Sequence, residues 1–200
     1  MSFSERLRAV FASRGQLCVG IDPHEHLLAE WGLDASAAGV REFGLRVVDA
    51  CAGRVGIVKP QVSFFERYGS AGFAALEEVL AAARAAELLV IADAKRGDIG
   101  STMDAYARAW LTPGSPLEAD ALTVSPYLGV GSLSDTFAYA VAGGKGIFVL
   151  AATSNPEATV LQRAVPAGAA TLARSIVDDV SAWNRDATGE HLGSIGFVIG

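Results

Sequence analysis

The segment Ile91-Ala-Asp93-Ala-Lys95-Arg-Gly-Asp98-Ile-Gly-Ser-Thr102 sets one lysine among carboxylates at short spacing. Residues two apart on a β-strand point to the same face, so Asp93 and Lys95 project together. Leu89 and Ile91 share that parity, while Val90, Ala92 and Ala94 take the opposite face. Asp98 follows on a glycine-containing loop, three residues past Lys95. A lysine buried between two carboxylates keeps its proton, because neighbouring negative charge favours the charged form. It can then act as a general acid although desolvated. The same residues also fit a structural ion pair that fixes strand register, since such pairs perturb pKa values too. Lys59 and Asp22 tip the balance, because both fall at the ends of neighbouring apolar runs. Five ionisable groups on one rim are costly to desolvate and hard to justify for stability alone, so a chemical site is the better reading.

Such a rim needs strands to carry it. Six short apolar runs punctuate the chain: Leu17–Asp22, Val55–Pro60, Leu88–Lys95, Ala121–Tyr127, Gly146–Ser154 and Ser194–Gly200. Their near-continuous Val, Ile and Leu content fits parallel strands covered on both faces. Between them, Ala37–Ala52, Ser70–Glu87 and Ala167–Arg185 repeat apolar residues at three- and four-residue steps, as amphipathic helices do. Gly15, Gly53, Pro113-Gly114 and Gly143-Gly144 break the units. The alternation predicts right-handed βαβ units. Periodicity alone fits a (β/α)8 TIM barrel and an open doubly wound sheet equally. Asp22, Lys59, Asp93, Lys95, Ser125 and Ser154 all lie at the C-terminal ends of their runs, however, which is where barrel enzymes place their chemistry. In a barrel, the parity of Asp93 and Lys95 turns both inward. Six runs are two short of eight, and the last ends inside an apolar stretch at Gly200. The expectation is a single barrel domain over 1–200 that supplies about six βα units and continues past Gly200, because an unpaired strand edge invites aggregation.

Composition limits the partners. The chain has 200 residues, 51% hydrophobic and 19% charged, with mean hydropathy +0.34, which excludes intrinsic disorder. Asp plus Glu total 22 against 16 Lys plus Arg, a net charge of −6. An acidic chain without a basic cluster is a poor ligand for nucleic acid or anionic membranes. A small anion needs only a few local cations. Cys18 and Cys51 read as small buried hydrophobes in a reduced compartment. The N-terminus, MSFSERLRAVFASRG, mixes charges into apolar positions at helical spacing and lacks a signal-peptide core, and no run is long enough to span a bilayer. These features predict a cytoplasmic protein.

Asp93-x-Lys95-x-x-Asp98-Ile99-Gly100-x-Thr102 resembles the signature of the orotidine 5′-phosphate decarboxylase family. Gly20-Ile-Asp22-Pro23, Val58-Lys59-Pro60-Gln61 and Thr153-Ser154-Asn155-Pro156 are similar to that family's first, second and fifth strand ends. The wording of these motifs is closest to its longer bacterial members. The resemblance runs from about Leu17 to the end and implies a (β/α)8 barrel, a homodimer, and conversion of orotidine 5′-monophosphate to UMP and CO2 without metal or organic cofactor. It implies Lys95 as the proton donor to C6, Asp93 against the substrate carboxylate, and Lys59 and Asp22 at the ribose hydroxyls. It implies that Asp98 and Thr102 reach into the partner subunit's site, and that Ser154 bonds the pyrimidine. Ile99, Ser125 and Pro156 are expected to line the substrate. The family's phosphate-binding Gln and Arg, after strands 7 and 8, have no counterpart in these 200 residues and are expected beyond Gly200. An alternative is a Mg2+-dependent sugar-phosphate decarboxylase or aldolase of the same suprafamily. Those enzymes need an acidic residue at the end of strand 2, and Lys59 argues against it because a lysine repels the metal.

Other signals are weaker. His24, His26 and His191 lack partners at metal-ligand spacing, so His24 and His26 read as a solvated loop. Gly129-Val-Gly131 is too short for a dinucleotide fingerprint and reads as a tight turn beside Ser125 and Tyr127. Trp31, Trp110 and Trp183 read as packing residues. For Arg96 three destinations stay open: solvent, a partner chain or substrate.

Overall fold

The computed structural model describes residues 1–166, 170–188 and 192–200. Its six strands are β1 (Cys18–Ile21), β2 (Ile57–Pro60), β3 (Leu89–Arg96), β4 (Ala121–Val124), β5 (Gly146–Ala152) and β6 (Ile195–Ile199). The helices are α1 (Phe3–Arg14), α2 (Glu25–Glu30), α3 (Ala37–Cys51), α4 (Ser63–Glu66), α5 (Gly69–Ala85), α6 (Gly100–Leu111), α7 (Ser134–Ala142), α8 (Ala158–Gln162) and α9 (Leu172–Thr188). All six strands run parallel in one sheet, in the order β1-β2-β3-β4-β5-β6. A doubly wound sheet reverses its order at a switch point. Here each strand pairs with its successor and nothing reverses, which selects the barrel winding: the sheet is six units of a (β/α)8 barrel. Each predicted run contains one strand, and β3 extends one residue further, to Arg96.

Strand parity sorts the apolar residues into two cores. Val58, Val90, Ala92, Leu122, Ile147 and Val149 pack outward against the helices. Phe3, Ile57, Leu89, Ile91 and Ala121 form a smaller inner cluster, joined by Leu7, Val10, Phe11 and Phe148. The helices bury the faces their spacing predicts: Val40, Phe43, Val47, Val48 and Cys51 on α3, and Leu76, Val79 and Leu80 on α5. Complete burial of each of those last three contributes about 2 kcal/mol. The third predicted helix is α9, with Thr171 Oγ1 accepting the Arg174 N–H at its start. The first residues of its predicted range, 167–169, lie outside the described residues, as does His191.

Helix α1 closes the N-terminal end of the strands. Ser2 and Glu5 form a reciprocal capping box that starts it, and Phe3 meets Phe148 edge-on at 6.1 Å. Beneath lies a charged floor that the sequence reading did not anticipate. Arg6 reaches Asp120 at 2.6 Å and the Gly144 carbonyl at 2.8 Å. Asp120 also accepts the buried Val90 N–H at 2.9 Å, and buried Lys145 pairs with Glu118 at 2.7 Å.

Cys51 is buried as expected, but Cys18 is exposed. It sits on β1, an edge strand with no strand neighbour on one side among the described residues, so the inner face there is uncovered. Trp110 is buried and Trp183 packs on Phe137 at 5.3 Å, whereas Trp31 stacks on Phe43 yet stays 42% exposed. His24 and His26 are exposed and stacked on each other, and His24 meets Phe64 edge-on, with His26 inside α2 rather than in a loop. Among the described residues no helix is long and apolar enough to cross a membrane.

Candidate active site

The carboxyl ends of β2 and β3 carry a three-residue ionic array. Lys59 Nζ donates to Asp93 Oδ2 at 2.8 Å, and Lys95 Nζ donates to Asp93 Oδ1 at 2.6 Å. The Asp93 side chain is only 8% exposed, against 34% for Lys59 and 44% for Lys95. Burial pushes the Asp93 carboxyl upward, but hydrogen bonds from Lys59 and Lys95, the Lys59 charge and a bond from Thr123 outweigh it, holding the group below the ordinary carboxylate range. The result is a fixed anion that carries two ammonium groups, both open toward the barrel mouth. A substrate that develops negative charge there meets prepositioned cations.

Asp93 and Lys95 do share a face, but not through a regular pleat. The β3–β4 register shifts between Ala92 and Arg96, so β3 bulges at this point. Lys95 adopts φ 49°, a left-handed conformation that costs a non-glycine residue about 1–3 kcal/mol. The expectation of a buried lysine between two carboxylates is therefore corrected: Lys95 is half-exposed, and Asp93 is its carboxylate partner. Bulging lifts its side chain out of the packed inner layer toward the rim. Among the described residues Asp98 makes no ion pair and instead accepts the Ile99 N–H at 2.8 Å. Asp22 lies at the end of the neighbouring β1, also without an ion pair among the described residues, so three of the five predicted ionisable groups are in direct contact. Glycine at position 20 leaves the space that the Asp22 carboxylate occupies.

The remaining predicted residues spread around the same rim. Ser125, after β4, is half-buried, and its N–H bonds the Arg96 carbonyl at 2.8 Å. Gly97 makes that approach possible, since a Cβ there would stand 2.6 Å from the Ser125 carbonyl oxygen. Ser154 and Pro156 follow β5 and are exposed, as are Ile99 on the β3–α6 loop and Thr102 on α6. None of these hydrogen-bonds to the ionic array, whose polar partners are Gln61 and Thr123.

Arg96 has a definite place. It turns outward from the barrel, pairing with Glu66 of α4 at 3.1 Å and lying over the Tyr106 ring of α6 at 5.5 Å. Two further residues support the array. Gln61 accepts from Lys95 Nζ at 3.2 Å and donates to the Asp93 carbonyl at 3.3 Å. Thr123, 2% exposed, lies 2.9 Å from Asp93 Oδ1. Gln61 was visible in Val-Lys-Pro-Gln as a polar residue just past a strand end. Thr123 carried one signal, a hydroxyl in the otherwise apolar run Ala121–Val124.

Comparison with known proteins places these features in a family. Residues 15–200 match the model of the "Orotidine 5'-phosphate decarboxylase / HUMPS family". The chain is 54% identical to the orotidine 5′-phosphate decarboxylase of Corynebacterium efficiens, covering 100% of this chain and 71% of that one. It is 52% identical to the enzyme of that name from Streptomyces coelicolor, over 99% of this chain and 70% of the relative. A crystal structure from Streptomyces avermitilis superposes with a TM-score of 0.95 at 52% identity, over 99% of this chain and 69% of the other. Leishmania donovani OMP decarboxylase gives a TM-score of 0.79 at 35% identity, over 100% and 70%. With a family match over nearly its whole length and the ionic array at the strand ends that carry the signature, this chain belongs to the orotidine 5′-phosphate decarboxylase / HUMPS family.

Proposed function

We propose that this protein decarboxylates orotidine 5′-monophosphate to UMP and CO2, a step of pyrimidine nucleotide synthesis. Family membership supplies the substrate, and the observation that carries the chemistry is the Lys95 ammonium held 2.6 Å from buried Asp93 at the open rim. When the C6–carboxylate bond breaks, CO2 leaves and its electron pair stays on C6 in an sp2 orbital that no ring carbonyl delocalises fully. An ammonium fixed beside C6 stabilises charge that exists only in the transition state, which raises kcat. Lys95 then passes its proton to C6, UMP forms, and the neutral amine recovers a proton from solvent. Asp93 lies against the departing carboxylate and orients Lys95, while Lys59 and Asp22 engage the ribose hydroxyls.

Ser154 bonds the pyrimidine, with Ser125, Ile99 and Pro156 lining the substrate. Asp98 and Thr102 serve the site of a second copy in a homodimer. Their position outside the ionic array supports this, as does exposed apolar surface at the same rim: Ile99 is 61% exposed, Tyr127 78% and Leu128 52%. The reading treats 1–200 as one barrel domain and the protein as cytoplasmic, in keeping with its acidic composition. An absorbance assay for loss of orotidine 5′-monophosphate tests the function. Wild type turns the substrate over and Lys95→Ala does not; equal rates for the two refute the assignment.

A further inference from the structure

The strand that carries the proton donor is irregular at the donor itself. Between the pairs Ala92↔Leu122 and Arg96↔Val124, Asp93, Ala94 and Lys95 of β3 stand opposite the single residue Thr123 of β4. A bulge of this size takes main-chain groups out of the ladder, and a buried N–H left unpaired is costly. The Thr123 side chain takes over from the ladder. Its Oγ1 accepts the Lys95 N–H at 2.9 Å and lies 2.9 Å from Asp93 Oδ1. A threonine hydroxyl has one proton and two lone pairs, and a carboxylate can only accept. The proton therefore goes to Asp93 and a lone pair to the Lys95 N–H. The Ala92 carbonyl, at 3.5 Å, is too distant to compete.

We infer that Thr123 is the positioning residue of the proton donor: one buried hydroxyl fixes both the left-handed backbone at Lys95 and the carboxylate that steers the Lys95 ammonium. This rests on the reading above that Lys95 supplies the proton. The hydroxyl does the positioning, so Val, which has the same shape, cannot replace Thr123, whereas Ser can.

The test compares Thr123→Val with Thr123→Ser in the full chain. Kinetics on orotidine 5′-monophosphate are measured for both, and the Asp93 carboxyl is titrated by 13C NMR, which needs no turnover. Thr123→Val is expected to lower kcat by about 10- to 100-fold while KM changes by less than about 3-fold, the loss matching a partly buried N–H left unsatisfied. Thr123→Ser stays within about 3-fold of wild type in both constants. The Asp93 titration moves up in Thr123→Val, because one of the bonds holding it low is gone, and stays in place in Thr123→Ser. Wild-type kcat in Thr123→Val, equal losses in the two variants, or an unmoved Asp93 titration in Thr123→Val would each overturn the inference. If Thr123→Val does not fold, Thr123→Ala set against Thr123→Ser makes the same comparison. If wild type itself fails to turn over the nucleotide, the functional reading falls, while the NMR titration still decides the hydrogen bond of Thr123.

Discussion

Replacing Asp93 by Asn keeps the side-chain shape and removes the charge on which the site is built. The carboxylate accepts from Lys59 at 2.8 Å, Lys95 at 2.6 Å and Thr123 at 2.9 Å. An amide offers one accepting oxygen, and its NH2 must face an ammonium or a hydroxyl. Charge-assisted bonds contribute about 1.5–3 kcal/mol when sheltered. The two lysines are 34% and 44% exposed, which lowers each bond to about 1 kcal/mol. The bond from Thr123 adds about 1 kcal/mol, and relief of the Asp93 desolvation penalty offsets about 1 kcal/mol. The expected loss at pH 7 is about 2 kcal/mol, read by urea unfolding as a lower midpoint at unchanged slope. The sign with pH follows from a carboxyl held below its ordinary value of 3.8. Its contribution is fully present above about pH 5 and is lost as pH falls through the folded-state value. The gap between wild type and Asp93→Asn therefore narrows from pH 5 toward pH 3. A variant as stable as wild type at pH 7, or a gap that stays constant on acidification, would show that the Asp93 charge does not hold the array together.

Asp120→Ala in the floor of the barrel leaves the Val90 N–H unpaired and removes the carboxylate partner of Arg6, which keeps the Gly144 carbonyl, while Lys145 keeps Glu118. Chemical denaturation is expected to show a loss of about 3 kcal/mol, with the turnover of the folded fraction unchanged because the floor lies at the opposite end from the array. Mixing Lys95→Ala with Asp98→Ala chains under conditions of subunit exchange is expected to restore part of the activity, since one of the two sites in a mixed dimer carries both intact residues. Exchange without recovery removes Asp98 from the partner's site.

Fold and site were legible to different depths. Continuous apolar runs located all six strands, because burial on both faces leaves little room for polar residues. Barrel or open sheet turned on strand order, a long-range property that local periodicity does not encode. The rim position of Asp22, Lys59, Asp93 and Lys95 nonetheless pointed the right way. Parity correctly separated Leu89 and Ile91 from Val90 and Ala92. It treated β3 as regular to its end, however, and so missed the bulge that lifts Lys95 to the rim. Thr123 escaped for a related reason: a lone threonine in an apolar strand is common, and its value appears only when the bulge leaves a backbone donor without a partner. Arg96 stood open between three destinations until α4 and α6 supplied Glu66 and Tyr106. Cys18 read as buried from its neighbours in sequence, whereas burial on an edge strand depends on what lies beyond the edge.

On the proposed mechanism the Lys95 ammonium exchanges a proton with C6 of the pyrimidine. Microscopic reversibility makes this measurable without decarboxylation: incubated with UMP in D2O, the protein must replace hydrogen at C6 by deuterium through the same lysine. Proton NMR of the nucleotide is predicted to show loss of the C6 hydrogen signal with wild type and no loss above background with Lys95→Ala. Equal exchange by the two proteins would show that a group other than Lys95 handles the C6 proton.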